Sequence, residues 1–302
     1  MTVKPNFLIV GMAKCGTSSL AQYLQQHPNV FITKHKEPRY FSSQCMQFPM
    51  GGPKDKEVEK WYVKDWNKYL EMFSSAKEKA IGEASADTLY FHSCTIPLIK
   101  EKLGNPKIII ILRNPVKRAF SAYQHLIRDE RESGSFEIAL QKEPERIQDN
   151  YELIYHYKKV SQYYQPVKAF LDNFEHVKVI LNEDLQNDTG NCLKEVFQFL
   201  DVNPEQEIKY DLKFNVSGKP KNRVLHESLQ GETKIRKMIR PFARLILPTQ
   251  EKRMRMVTWL SGKNMNRLQL ENETATDLYD FFQEDISKLK DLLKKDLSQW
   301  EK

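Results

Sequence analysis

Apolar residues fall in short runs separated by stretches of helical period. Phe7-Leu8-Ile9-Val10 is a continuous apolar run, which predicts a strand buried on both faces of a parallel sheet. Leu20, Tyr23 and Leu24 then recur at helical spacing, and His27-Pro28 ends that helix. Val30 to Thr33 reads as a second short strand, and Gln44 to Asp55, with two prolines and two glycines, as a loop. Glu57 to Lys77 predicts a helix carrying Trp61, Tyr62, Trp66, Tyr69 and Phe73. "KIIIIL", Lys107 to Leu112, is the strongest strand, and Asn114 and Pro115 cap and open the helix after it. "HVKVILNEDL" predicts a strand ending near Leu181, followed by an amphipathic helix over Gly190 to Leu200. "YELIYHYKKVSQYYQ" places Tyr155, Tyr157, Tyr163 and Tyr164 on a helix, and from about Lys234 the chain is mostly helical. The alternation predicts an α/β fold: one domain over residues 1–302, a parallel sheet flanked by helices, with a helical C-terminal part.

Composition narrows the class. A chain of 302 residues with 40% hydrophobic and 29% charged residues holds one substantial core and is globular. It has no apolar run of bilayer length and no signal-peptide pattern. Cys15, Cys45, Cys94 and Cys192 are scattered without a CxxC pair. That spacing argues against a metal site and against a disulfide framework, and points to the cytoplasm. The net charge of +7 and pI near 9.0 favour anionic ligands.

The loop after the first strand sets the chemistry. In "GMAKCGTSSL", Gly11 and Gly16 have the separation of a nucleotide-binding P-loop, G-x-x-x-x-G-K-[ST]. Thr17 stands where the lysine belongs, and the lysine lies inside the loop as Lys14. Strand, glycine loop and helix aim backbone N–H groups at one anion site, with Thr17 and Ser18 as N-cap candidates. A plain tight turn is the alternative. The second stretch is "IIIILRNPVKRAFSAYQHL". Where a P-loop ATPase carries a magnesium-binding aspartate, this strand ends in Arg113. A cation there faces the ligand crevice. Ser121, in the second turn of the next helix, can reach the same phosphate. The bland reading pairs Arg113 with a carboxylate and leaves Ser121 on a helix surface. Together the two stretches suit a nucleotide with phosphates at both ends of its ribose better than a magnesium triphosphate.

These motifs resemble the sulfotransferases that use 3′-phosphoadenosine 5′-phosphosulfate (PAPS). "GMAKCGTSSL" is similar to their 5′-phosphosulfate loop, and "LRNPVKRAFSAY" to their 3′-phosphate motif. "HKEPRYF" resembles the K-E-x-x-[FY]-F segment of the heparan-sulfate and bacterial branch, and "NVSGKPKNRVLH" the basic loop that closes over the nucleotide. The resemblance runs from Phe7 to about His226 and implies a P-loop-like fold and a cytosolic bacterial enzyme. It implies that Lys14, Cys15, Gly16, Thr17, Ser18 and Ser19 hold the 5′ end, Arg113 and Ser121 the 3′-phosphate, and Lys219, Lys221 and Arg223 the clamp. Glu37 becomes the general base, with His35 its rival, and Lys14 the group that stabilises the leaving oxygen. The product is adenosine 3′,5′-bisphosphate, and no metal is implied. Glu37 as an exposed acid or a partner of Arg39, and Glu83 as a helix-start carboxylate, are the structural alternatives.

The acceptor carries a hydroxyl or an amine: a small metabolite, a saccharide or a lipid headgroup. The missing export signal favours a small intracellular one. Glu83 and Tyr157 are candidates to contact it, whereas Trp61, Trp66, Tyr69 and Phe73 read first as helix core and second as an acceptor platform. "KIRKMIRPFARLILP" is basic and amphipathic. Core packing is its ordinary reading, and a membrane-surface or polyanion contact the other. Nucleic acid is not expected as a partner. A P-loop-related kinase and a non-enzymatic polyanion-binding protein remain the rival functions.

Overall fold

The computed structural model describes residues 3–209, 219–220, 256, 265–266 and 268–301. Five strands make one sheet: β1 (Phe7–Ile9), β2 (Val30–Ile32), β3 (Ala80–Ala84), β4 (Lys107–Leu112) and β5 (Val177–Leu181). Their order is β2-β3-β1-β4-β5, and every pairing is parallel. β1 and β3 are buried along their whole length, and in β4 only Lys107 is not fully buried. That is why β1 and β4 are unbroken apolar runs. The chain leaves β1 toward β2 on one side and later crosses to β4 on the other. The order therefore reverses beside β1, and the carboxyl ends of the strands there are where sheets of this kind form their ligand crevice.

Several expectations need correction. Residues 57–77 do not form one helix. Two short helices, Asp55–Glu59 and Trp66–Glu71, flank a break, and Asp65 caps the second by accepting from Lys68 N. The break exists because Val63 N donates to Pro38 O at 2.9 Å, pairing this segment with the turn after β2. Residues 153–161 form two 3₁₀ turns, Leu153–Tyr155 and Lys159–Ser161, and the helix begins only at Tyr164. Glu83 lies inside β3, not at a helix start.

The cysteine reading is also overturned: Cys45 and Cys94 form a disulfide, with Cα atoms 6.0 Å apart across 49 residues of sequence. Packing of the helices Tyr40–Ser43 and His92–Leu103 brings them together, which spacing along the chain does not reveal. Disulfides persist in oxidising compartments, so the cysteines no longer support the cytoplasm. Among the described residues no helix is long and apolar enough to cross a membrane.

In the C-terminal third, Asn272–Leu293 is a helix of 22 residues. Asp285 on it accepts from the backbone of Tyr163 at 2.7 Å. Lys219–Pro220 pairs antiparallel with Met265–Asn266. Lys221, Arg223 and the basic stretch after Lys234 lie outside the described residues.

Candidate active site

The loop after β1 is shaped by two glycines. Gly11 passes so close to β4 that a Cβ there would meet Ile111 O at 2.5 Å. Gly16 has φ of 105°, and a Cβ on it would meet Asn182 Nδ2 at 2.4 Å. Both left-handed backbone and lack of space select glycine. Gly16 is also the helix N-cap, in place of the expected Thr17 or Ser18, and the helix runs Thr17–Leu24. Lys14, inside the loop, has φ of 73°. A left-handed lysine is uncommon, and such conformations collect at functional sites.

β4 delivers Arg113 to the same place. Its Nη1 donates to Lys14 O at 3.2 Å, which joins the strand end to the loop. Tyr163 Oη donates to Arg113 O at 2.9 Å and lies 3.7 Å from Cys15 Sγ. Asn114 caps the following helix, Pro115–Arg128, as expected. Ser121 is buried in its second turn. Arg113 and Ser121 thus share one strand-to-helix unit, and Arg113 keeps further N–H donors for an anion.

Cations crowd the loop. Burial, then Arg128 and Lys36, and to a smaller extent Arg113, bring the Lys14 ammonium down to a pKa of about 7, against a weaker pull upward from Asp129. Arg128 donates to His125 Nδ1 at 2.6 Å and to Asp129 Oδ1 at 2.7 Å. His125 is driven well below its usual pKa by burial, then by Lys14 and Arg128. It is therefore neutral, accepting at Nδ1 and turning Nε2–H toward Asp129 Oδ2 at 3.3 Å. Sequence reasoning did not single out His125 or Arg128. Their signal is present: with Ser121 they fall at i, i+4 and i+7, one face of the helix.

The turn after β2 carries the carboxylate. Glu37 and Arg39 are both left-handed, at φ of 53° and 56°. Arg39 Nη2 donates to Glu37 Oε2 at 2.6 Å, and Nε adds a bond of 3.1 Å to the same oxygen. Nη1 reaches Tyr62 Oη at 2.6 Å and Glu152 Oε1 at 3.1 Å, and Asp87 lies 3.6 Å from Nε. Burial acts to raise the pKa of Glu37, but Arg39, Lys36 and Lys14 outweigh it and hold the carboxyl below its usual value. The Arg39 contact expected as the structural alternative is present, and it fixes the orientation of the carboxylate.

β3 sits between β2 and β1 and adds a buried acid. Arg39 N donates to Ser85 Oγ at 2.8 Å, and Ser85 Oγ donates to Glu83 Oε2 at 2.7 Å. Burial raises Glu83 to about 8 against the Ser85 bond, with help from the charges of Asp87 and Glu37. Glu83 is therefore neutral at pH 7 and supports the Glu37 turn through Ser85.

His35 and Tyr157 are placed differently from Glu37. His35 donates from Nε2 to Trp61 O at 3.0 Å, so that nitrogen is engaged. Tyr157 is fully buried, packs edge-on against Phe136, and donates to Glu132 Oε2 at 3.0 Å. It belongs to the core between the two 3₁₀ turns. Of the aromatic set, Tyr69 and Phe73 are core and Trp66 stacks on Tyr69, whereas Trp61 stands in solvent. Lys219 is placed by its backbone alone, in the short two-stranded pair.

A family model described as the sulfotransferase domain matches residues 4–289. The crystal structure of a sulfotransferase from Alicyclobacillus acidocaldarius is 33% identical, covers 99% of each chain, and superposes with a TM-score of 0.78. The membrane-associated sulfotransferase kil1 of Dictyostelium discoideum is 36% identical over 41% of this chain and 23% of its own length. Human carbohydrate sulfotransferase 15 is 28% identical over 44% of this chain and 29% of its own. A heparan sulfate N-deacetylase/N-sulfotransferase of Caenorhabditis elegans is 32% identical over 45% of this chain and 15% of its own. The chain thus spans less than a third of the length of these three curated relatives.

Proposed function

This chain belongs to the sulfotransferase family, and we propose that it moves a sulfuryl group from PAPS to a hydroxyl or amine of its acceptor. The observation that carries the nucleotide reading is the contact between Arg113 and Lys14, 3.2 Å, which joins two phosphate-binding elements at one crevice. The residues fit a nucleotide phosphorylated at both ends. Gly16 leaves backbone N–H groups uncovered at a helix start, Lys14 adds a cation, and Arg113 with Ser121 supplies a second anion site.

The reaction is an in-line displacement at sulfur, comparable with phosphoryl transfer. Both Arg39 bonds end on Glu37 Oε2, which leaves Oε1 to take the proton of the acceptor. The acceptor oxygen or nitrogen forms its bond to sulfur as the bond from sulfur to the phosphate oxygen breaks. Lys14 neutralises the charge that builds on that oxygen. A positioned donor of this kind is worth about 3–4 kcal/mol, and a positioned base about 10²–10⁴-fold. Glu37 is favoured over His35 because its carboxyl is held in the ionised form and aimed by Arg39. The relatives named for carbohydrate and heparan sulfate support a saccharide among the acceptor classes.

Calorimetry with adenosine 3′,5′-bisphosphate tests this reading. Binding of equal strength with and without Mg²⁺ supports it. Binding of a nucleoside triphosphate only with Mg²⁺ favours a kinase, and no nucleotide binding with a steep salt dependence favours a polyanion binder.

A further inference from the structure

The disulfide joins the two segments that hold the turn carrying Glu37. Cys45 follows the helix Tyr40–Ser43, whose N-cap is Arg39. Ser43 N donates to Arg39 O at 2.9 Å, Ser42 Oγ to the same oxygen at 3.2 Å, and Cys45 N to Ser42 O at 2.9 Å. On the other side, Cys94 N donates to Phe91 O at 2.9 Å, Thr95 Oγ1 to Thr88 O at 2.9 Å, and Thr88 N to Ser85 O at 3.4 Å. Ser85 Oγ in turn accepts from Arg39 N at 2.8 Å. The path from Arg39 through Cys45 and Cys94 to Ser85 thus closes back on Arg39, and the S–S bond ties its two halves directly.

The bond is open to attack from solvent. Cys94 is exposed and Cys45 is half-buried. Exposed disulfides exchange with thiols, whereas buried structural ones resist them. Cys45 Sγ also lies 3.3 Å from Phe41 O, an acceptor already in place for the thiol that reduction leaves there. The 49-residue loop that the bond closes contains Tyr62 and Val63. Tyr62 Oη accepts from Arg39 Nη1 at 2.6 Å, and Val63 N donates to Pro38 O at 2.9 Å. Opening the bond therefore releases both the helix behind the base turn and the segment beside it. The phosphate loop, on the far side of β3, has no part in this path.

We propose that Cys45–Cys94 is a thiol-exchange site that controls the base turn, which is ordered when the bond is formed and loosened when a dithiol opens it. A thiolate of the dithiol attacks Cys94 Sγ, the more exposed side. The S–S bond to Cys45 breaks, a mixed disulfide forms on Cys94, and Cys45 Sγ leaves as a thiolate and takes a proton. The second thiolate of the dithiol then attacks its own sulfur in the mixed disulfide, and Cys94 Sγ leaves and takes a proton. Two electrons and two protons pass to the protein, and the dithiol departs as a disulfide. This rests on the reading of Glu37 as base and adds a means of regulating it.

The test compares the full chain oxidised, reduced with dithiothreitol without denaturant, and reoxidised. Amide hydrogen exchange, calorimetry with adenosine 3′,5′-bisphosphate, and turnover of PAPS with a simple phenol and with a tetrasaccharide are measured on each. Reduction should speed exchange over residues 37–45 and 85–95 by about tenfold or more and leave residues 11–19 unchanged. Bisphosphate affinity and the KM for PAPS should stay within about twofold, while kcat falls about tenfold and returns on reoxidation. The double variant Cys45→Ser, Cys94→Ser should behave as the reduced protein and ignore dithiothreitol; if it does not fold, reduced wild type decides. The switch is overturned if the bond resists dithiothreitol in the folded protein, if exchange over residues 37–45 does not change, or if kcat does not change. It is overturned equally if protection is lost across the whole sheet, because the bond then supports the fold and not the turn. In each of those cases Glu37 remains the base. If oxidised Glu37→Gln turns over as fast as oxidised wild type, or the oxidised protein transfers sulfate to neither acceptor, the base reading falls and the switch falls with it.

Discussion

Arg39 holds Glu37 at 2.6 Å while its other terminal nitrogen lies 3.1 Å from Glu152. One guanidinium thus ties the proposed base to a carboxylate from a segment 113 residues away from Arg39. Glu152 is bound in turn by Arg131 at 2.6 Å, and Arg131 pairs with Asp55. The base turn is therefore anchored to a buried web of charge, and both of its left-handed residues are locked in place. Glu37→Gln keeps the shape and still accepts from Arg39, but cannot take a proton. Turnover should fall by about 10²-fold or more with bisphosphate affinity unchanged. Steady-state rates with PAPS, beside calorimetry, check this. A variant that keeps most of its activity while His35→Ala abolishes it would make the histidine the base.

Arg39→Ala should act on stability as well as on rate. It takes the cation from beside Glu37 and Asp87, while Glu152 keeps Arg131. Removing one partner of a buried pair costs about 3–5 kcal/mol. Urea unfolding should show that loss, whereas Glu37→Gln should unfold near the wild-type midpoint.

Lys14 predicts an alkaline limit. With its pKa near 7, the ammonium is increasingly neutral above that pH. Anion binding favours the charged form, so kcat/KM should decline as pH rises above about 7. The acid limb should come from protonation of Glu37, whose carboxyl is held low. Lys14→Arg keeps its charge across this range and should lose the alkaline limb, whatever its overall rate. A pH–rate profile that stays level from 7 to 9 in wild type would contradict the role given to Lys14.

Arg113→Ala and Ser121→Ala should weaken adenosine 3′,5′-bisphosphate by tenfold or more relative to adenosine 5′-phosphate. They address the 3′-phosphate, which only the first ligand has. Equal losses for both nucleotides, measured by calorimetry, would refute that assignment.

Glu83 predicts a pH dependence of stability. Its folded pKa of about 8 lies above the usual value of 4.5. Between those limits the folded state holds a proton that the unfolded state has released. Stability from this group is complete below about 4.5 and is lost as pH rises toward 8. Glu83→Gln removes the titration, so its advantage over wild type in urea midpoint should grow from pH 5 to pH 8.

The α/β class, β1, β4, β5 and the loop with its lysine were legible because each is written in neighbouring residues. A buried parallel strand needs an unbroken apolar run, and a phosphate loop needs its glycines at fixed spacing. β3 was not legible: "AIGEA" is short and carries a glycine and a glutamate. It is a strand because it lies between β2 and β1, with Gly82 beneath the Phe7 ring, where a Cβ would meet the ring at 2.6 Å. The exposure of Trp61 was hidden for a similar reason. The aromatic spacing from Trp61 to Phe73 reads as one helical face, but Val63 pairs with Pro38 and breaks it.

By itself, the sequence determined which groups the site could contain: Lys14 in the loop, Arg113 at a strand end, Glu37 after a strand. Local order settles such things, since in a parallel sheet the carboxyl ends of the strands share one edge, and those beside the switch point face the crevice. Only the tertiary structure decided what those groups become. The pairing of Cys45 with Cys94, the neutral state of Glu83 and the grip of Arg39 on Glu37 and Glu152 at once all join residues from different segments. Burial and charge act through distance in space, and that distance is set only when the sheet and its helices close around the crevice.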